Sequence, residues 1–154
     1  MFRPAQILYN SINEKPIVKA LGGQFVTVDE LRKNNDFIVV AASLNEDTKF
    51  IVSREWFATM KPNAILVNIG RGQLIDQGAL VEALQEKKIR GAGLDVMTPE
   101  PLPLDHPMIN LDNVLLLPHV GSSTYETVEK MAMLTAENIL AVLNGDPMPA
   151  EVVI

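Results

Sequence analysis

Short, uninterrupted apolar runs alternating with segments of helical spacing constrain this fold more than anything else in the chain. The runs fall at residues 6–9, 37–41, 64–69, 93–96 and 114–117. Segments 14–20, 29–33, 54–60 and 77–88 lie among them and repeat their apolar residues at helical intervals. A strand with one wet face alternates apolar and polar residues; a strand covered on both faces reads as a continuous apolar run. Runs of the second kind, joined by helical segments, predict βαβ units in a doubly wound parallel sheet, an α/β fold. Ser53 and Asp76 stand where the third and fourth helices need N-caps. A longer helix is predicted over residues 126–144, stopping at Gly145 before the polar tail.

The chain has 154 residues, enough for one domain with a sizeable core. Its net charge of −6 and lack of any basic run argue against a nucleic-acid partner. Cysteine is absent, which excludes disulfides and thiol chemistry and fits a reducing compartment. No apolar stretch approaches a membrane span, and Met1-Phe2-Arg3-Pro4 does not open a signal peptide. The expectation is a cytoplasmic protein with no membrane partner.

Ligands of an open parallel sheet bind beyond the carboxyl ends of its strands. The third run leads into Gly70-Arg71-Gly72, and the fourth into Asp95 and then Glu100 within "MTPEPLPLDHP". The fifth leads into Pro118-His119-Val120-Gly121-Ser122-Ser123. Three successive strands therefore deliver a cation, two carboxylates and a histidine to one edge. Taken singly, Arg71 is a solvated turn residue, Glu100 a loop residue and His119 an ordinary histidine. His106 reads as part of a turn and is given no role. Glycine on both sides of Arg71 changes its meaning, since missing side chains admit a ligand or another backbone. Pro99 and Pro101 restrain the backbone that carries Glu100. As a set, the three suit reduction of a 2-keto acid. Arginine grips the carboxylate with a bidentate fork. Histidine protonates the carbonyl oxygen, and a carboxylate orients and charges the ring. The hydride has to come from a cofactor, because no side chain supplies one. Neither a serine nucleophile elbow nor metal-ligand spacing competes with this scheme.

The segments "VNIGRGQLID", "GAGLDVMTPEPLP" and "NVLLLPHVGSST" resemble, in order and spacing, the signatures of the D-isomer-specific 2-hydroxyacid dehydrogenases. Within that family the chain is most similar to the glyoxylate reductase/hydroxypyruvate reductase branch. The resemblance implies a partial dinucleotide-binding domain over residues 1–124. It also implies a C-terminal helix and tail over 125–154 that returns toward a substrate domain. It makes His119 the proton donor, Glu100 its partner, and Arg71 the substrate clamp, with Ser122 also touching substrate. Asp95 would face the nicotinamide, with Ser43, Ile69 and Gly121 along the cofactor path and Asn10 and Ser11 at the ribose. Neutral Asn10-Ser11 stands where NAD-specific sites place an acid, so NADP is expected in preference to NAD.

No G-x-G-x-x-G occurs, and the first strand of the family's sheet has no counterpart. The implied fold is therefore an incomplete Rossmann-like sheet, the carboxyl-terminal part of such an enzyme. Run 6–9 matches the second strand of the usual order and run 64–69 the fourth, which predicts a gap between those two. The chain is expected to be inactive alone, and to form a homo-oligomer or join a missing amino-terminal half. The alternative is a non-catalytic truncated remnant or interaction module.

Overall fold

The computed structural model describes residues 6–151. Its first three strands are β1 (Ile7–Tyr9), β2 (Gly23–Phe25) and β3 (Phe37–Val40), joined by helices α1 (Pro16–Ala20) and α2 (Val28–Asn34). Then come α3 (Arg54–Thr59), β4 (Ile65–Asn68), α4 (Gln77–Gln85), β5 (Gly91–Leu94) and β6 (Val114–Leu116), and last α5 (Tyr125–Asn144). Every strand pairing is parallel, as the continuous apolar runs predict.

Two local differences have physical causes. Strand β5 begins at Gly91 and stops at Leu94, two residues ahead of the predicted run 93–96. At Gly91 the neighbouring chain comes so close that a Cβ would lie 2.6 Å from the Asn113 carbonyl oxygen. The shift leaves Asp95 immediately beyond the strand's carboxyl end. Strand β2 has no predicted counterpart. It is three residues long and follows Gly22, whose φ of +85° turns the chain out of α1.

That extra strand corrects the predicted gap. β1 pairs with β2, and a separate sheet runs β3-β4-β5-β6. β4 is hydrogen-bonded on both sides, so run 64–69 does not border the gap. β3 does. A groove of about 380 Å³ separates the two sheets, lined by residues 6–10 on one side and Phe37, Ile38 and Val39 on the other. Residues following β1 and residues following β3 line the next cavity along, so the two strands run in the same sense. The spatial order is β2-β1-gap-β3-β4-β5-β6, with the gap where a doubly wound sheet places its first strand.

The core lies under β3 to β6. Leu66, Leu74, Leu80, Leu84, Ile89 and Met108 are fully buried there. Helix α4 buries Ala79, Leu80, Ala83 and Leu84, one face at helical spacing. Asp76 caps it as expected, accepting the Ala79 N–H at 3.0 Å. Ser53 occupies the N-cap position of α3, but its hydroxyl donates to the Glu55 carboxylate and caps no backbone group. Arg54 on α3 forks onto Glu82 on α4, which holds the Glu82 carboxyl below the usual range. Helix α2 starts one residue earlier than predicted because Thr27 and Glu30 form a reciprocal capping box.

The chain divides into two compact units, Met1–Pro118 and His119–Ile154. In the second, Thr124 caps α5 by accepting the Thr127 N–H, and Gly145 ends it at φ +78°, where glycine adopts the left-handed turn without strain. Among the described residues, no helix is long and apolar enough to cross a membrane.

Candidate active site

The turn that presents Arg71 is built by the residue that ends β4. Asn68 is 1% exposed, and a buried amide must find partners for its donor and acceptor. It finds them in the next three residues. Its Oδ1 accepts the Gly70 N–H at 3.0 Å, and its Nδ2 donates to the Arg71 carbonyl at 2.9 Å. One side chain thus fixes the backbone on both sides of the arginine's Cα. The guanidinium stays exposed and donates to the Gly70 carbonyl at 2.8 Å. It leads a 3₁₀ turn, Gly72–Leu74, into α4.

The flanking glycines are there for close approach by backbone. A Cβ on Gly72 would lie 2.0 Å from the Met97 carbonyl oxygen, and one on Gly70 would lie 2.9 Å from the Ala42 carbonyl oxygen. The Arg71 turn is therefore wedged between the loop after β3 and the loop after β5. Gly72→Ala should cost about 1–3 kcal/mol, since backbone has to move to relieve the overlap. Gly78→Ala, whose new methyl meets only the Asp76 carboxylate at 3.5 Å, should gain about 0.4–1 kcal/mol. Urea unfolding of the two variants checks this contrast in sign.

Glu100 lies in the loop pressed against Gly72. Its Oε1 accepts the Met97 N–H at 2.8 Å, folding the carboxylate back over its own loop. Asp95 is 8% exposed, and its N–H donates to the Asn68 carbonyl at 3.0 Å. Arg71, Asp95 and Glu100 thus come together around the carboxyl ends of β4 and β5. Ile69 extends the ladder, its N–H donating to Val40, and its side chain is exposed.

A cavity of about 650 Å³ opens beyond β1 and β3, and Asn10, Ser11 and Ser43 all line it. Asn10 donates to the Val26 carbonyl at 2.8 Å, and Thr48 fixes the Ser43 carbonyl at 2.7 Å. An apolar lining with a few fixed polar groups, at this volume, fits a nucleotide-sized ligand. Among the described residues, no group of His, Asp and Glu could hold a metal ion.

His119, Gly121 and Ser122 belong to the second unit. His119 has φ +56°, a left-handed conformation uncommon for a residue with a Cβ. Just after it, the Ser123 N–H donates to Val120 and closes a turn.

Three residues of this region went unassigned at the sequence level. Asn68 carries a local signal, an amide at the end of an otherwise apolar run. Gln77 contacts Thr98. His106, read as part of a turn, caps a 3₁₀ turn, Pro107–Asn110, and touches Gln77.

A family model described as D-isomer specific 2-hydroxyacid dehydrogenase, NAD binding domain, matches residues 2–121. The chain is 43% identical to human glyoxylate reductase/hydroxypyruvate reductase over 151 residues, covering 97% of this chain and 46% of that protein. An NADPH-dependent glyoxylate/hydroxypyruvate reductase from Sinorhizobium meliloti, solved with NADP and malonate, superimposes with a TM-score of 0.90 at 30% identity, over 97% of this chain and 46% of that one. A D-lactate dehydrogenase from Lactobacillus jensenii, solved with NAD+, gives 0.89 at 28% identity, over 97% and 49%. The chain spans about half the length of the relatives it matches.

Proposed function

Because the chain belongs to the D-isomer-specific 2-hydroxyacid dehydrogenases, with residues 2–121 matching their NAD-binding domain, we propose that it is the carboxyl-terminal catalytic half of an NAD(P)H-dependent 2-keto acid reductase. Its substrates are small 2-keto acids, glyoxylate and hydroxypyruvate, reduced to glycolate and D-glycerate. The observation that carries this is the Arg71 turn. A buried asparagine and two glycines without room for a side chain hold an exposed guanidinium at the carboxyl edge of the sheet.

In this scheme Arg71 grips the substrate carboxylate as a fork and polarises the neighbouring carbonyl. His119 donates a proton to the carbonyl oxygen as negative charge develops there. Glu100 is its partner and orients the ring. Ser122 supports substrate orientation. The reduced nicotinamide supplies the hydride. Asp95 is assigned to its nicotinamide end, Ser43, Ile69 and Gly121 to the cofactor path, and Asn10 and Ser11 to the ribose. The lack of an acid at Asn10-Ser11 supports NADP over NAD; relatives of this fold were solved with either. The cysteine-free composition supports a cytoplasmic setting.

Co-expression with the amino-terminal half of a related reductase tests the scheme. NADPH oxidation is expected with glyoxylate, and titration should give tighter binding of NADPH than of NADH. Tighter NADH binding would remove the cofactor assignment. A second reading, a non-catalytic interaction module, draws on the unpaired edges of β1 and β3. It predicts a tight complex with no turnover in the same assay.

A further inference from the structure

Glu100 sits on an exposed loop, outside every strand and helix, yet an acid that orients a histidine has to be held to a fraction of an ångström. Its carboxylate accepts the Met97 N–H, and the loop that carries both residues is tied to the rest of the fold by the first residue of α4. The Nε2 of Gln77 donates to the Thr98 carbonyl at 2.6 Å, and its Oε1 accepts the Thr98 N–H at 2.9 Å. A single side-chain amide therefore pairs with both backbone groups of one residue, as a neighbouring strand would. The two bonds together fix which end of the amide is oxygen. Nε2 also lies 3.2 Å from Nε2 of His106. His106 Nδ1 accepts from the Met108 N–H at 3.3 Å, and a neutral imidazole has one acceptor nitrogen. The ring thus serves one contact at a time, and the Thr98 pair is the stronger tether.

We propose that Gln77 is a positioning residue for Glu100, acting through Thr98, while Asn68 separately positions Arg71. The inference rests on the functional assignment above for its kinetic half only. Two amides then govern two different tasks. Loss of the Gln77 clamp loosens the acid loop and slows turnover. It leaves the Arg71 turn in place, because Asn68 holds that turn through bonds of its own.

The experiment compares Gln77→Met, which keeps the length but removes both bonds, with Gln77→Glu, which keeps an acceptor for the Thr98 N–H. Amide hydrogen exchange is followed by NMR on the 154-residue chain. Gln77→Met should exchange the Thr98 amide about tenfold faster or more, with the Gly70 amide unchanged. Gln77→Glu should fall between Gln77→Met and the parent, because it keeps the acceptor for the Thr98 N–H but loses the donor to the Thr98 carbonyl. In enzyme complemented with a related amino-terminal half, Gln77→Met should lower kcat about tenfold or more with KM within about twofold. Unchanged Thr98 exchange in Gln77→Met would overturn the clamp. Faster exchange with parental kcat would overturn its positioning role. If the unsubstituted complemented enzyme shows no turnover, the functional assignment fails, and the exchange rates alone decide the clamp.

Discussion

With His119 as the proposed proton donor, His119→Ala should lower turnover by about 10²–10⁴-fold in the complemented enzyme, the usual consequence of removing a general acid, and should leave cofactor affinity near its parental value. The expectation follows from where charge appears. Hydride delivery to a keto carbon leaves negative charge on oxygen, and a group that protonates that oxygen without holding the substrate carboxylate is needed in the transition state rather than the ground state. The cofactor is bound before that charge exists. Arg71→Lys is a different kind of change. A lysine keeps the charge but offers no planar fork, so both carboxylate grip and carbonyl orientation suffer. KM should rise together with the fall in kcat. Steady-state kinetics on the two variants separates the roles, since His119→Ala moves kcat alone. Near-parental turnover in His119→Ala would show that another group supplies the proton.

How far the sequence carries depends on how local the physics is. Runs 37–41, 64–69 and 114–117 were legible as strands from their continuous apolar character, although only alternate residues of β3 and β4 are buried. Asp76 was legible because capping is settled within one turn of helix. Ser53 shows the limit even there: it has the right position, but its hydroxyl goes to Glu55. Strand β2 was not legible, because Gly23-Gln24-Phe25 has neither an apolar run nor alternation long enough to mark it. Its pairing with β1 is what makes it a strand. That one omission moved the gap from β4 to β3. Around Arg71, the glycines announced a close approach but not its partner, which is the backbone at Ala42 and Met97. Asn68 could have been read from sequence, since it bonds within three residues. Gln77 could not, because Thr98 lies 21 residues away.

The isolated 154-residue chain should self-associate, and the gap gives the reason. Val40 accepts the Ile69 N–H and Asp36 accepts the Ile65 N–H, both toward β4. Backbone groups alternate sides along a strand, so those of Phe37 and Val39 face the gap. On the other rim Tyr9 accepts the Val26 N–H toward β2, which turns Leu8 toward the gap. Each such group costs about 1–3 kcal/mol if buried without a partner. Natural edges are blunted by charge, proline or bulges, and neither Ile7–Tyr9 nor Phe37–Val40 contains a charged residue or a proline. Phe37 and Val39 are also 70% and 58% exposed, so the rim is apolar as well as unpaired among the described residues. A strand from a second copy can satisfy both rims at once. Size-exclusion chromatography with light scattering should therefore give a mass above the 16.9 kDa monomer. Val39→Lys should shift the population toward monomer, because a charge then projects from the rim while the β4 side of β3 is untouched. Co-expression with a related amino-terminal half should do the same for the parent chain by filling the gap. A parent chain that elutes as a clean monomer and unfolds in one sharp transition would show that the two rims close on each other and present no sticky edge.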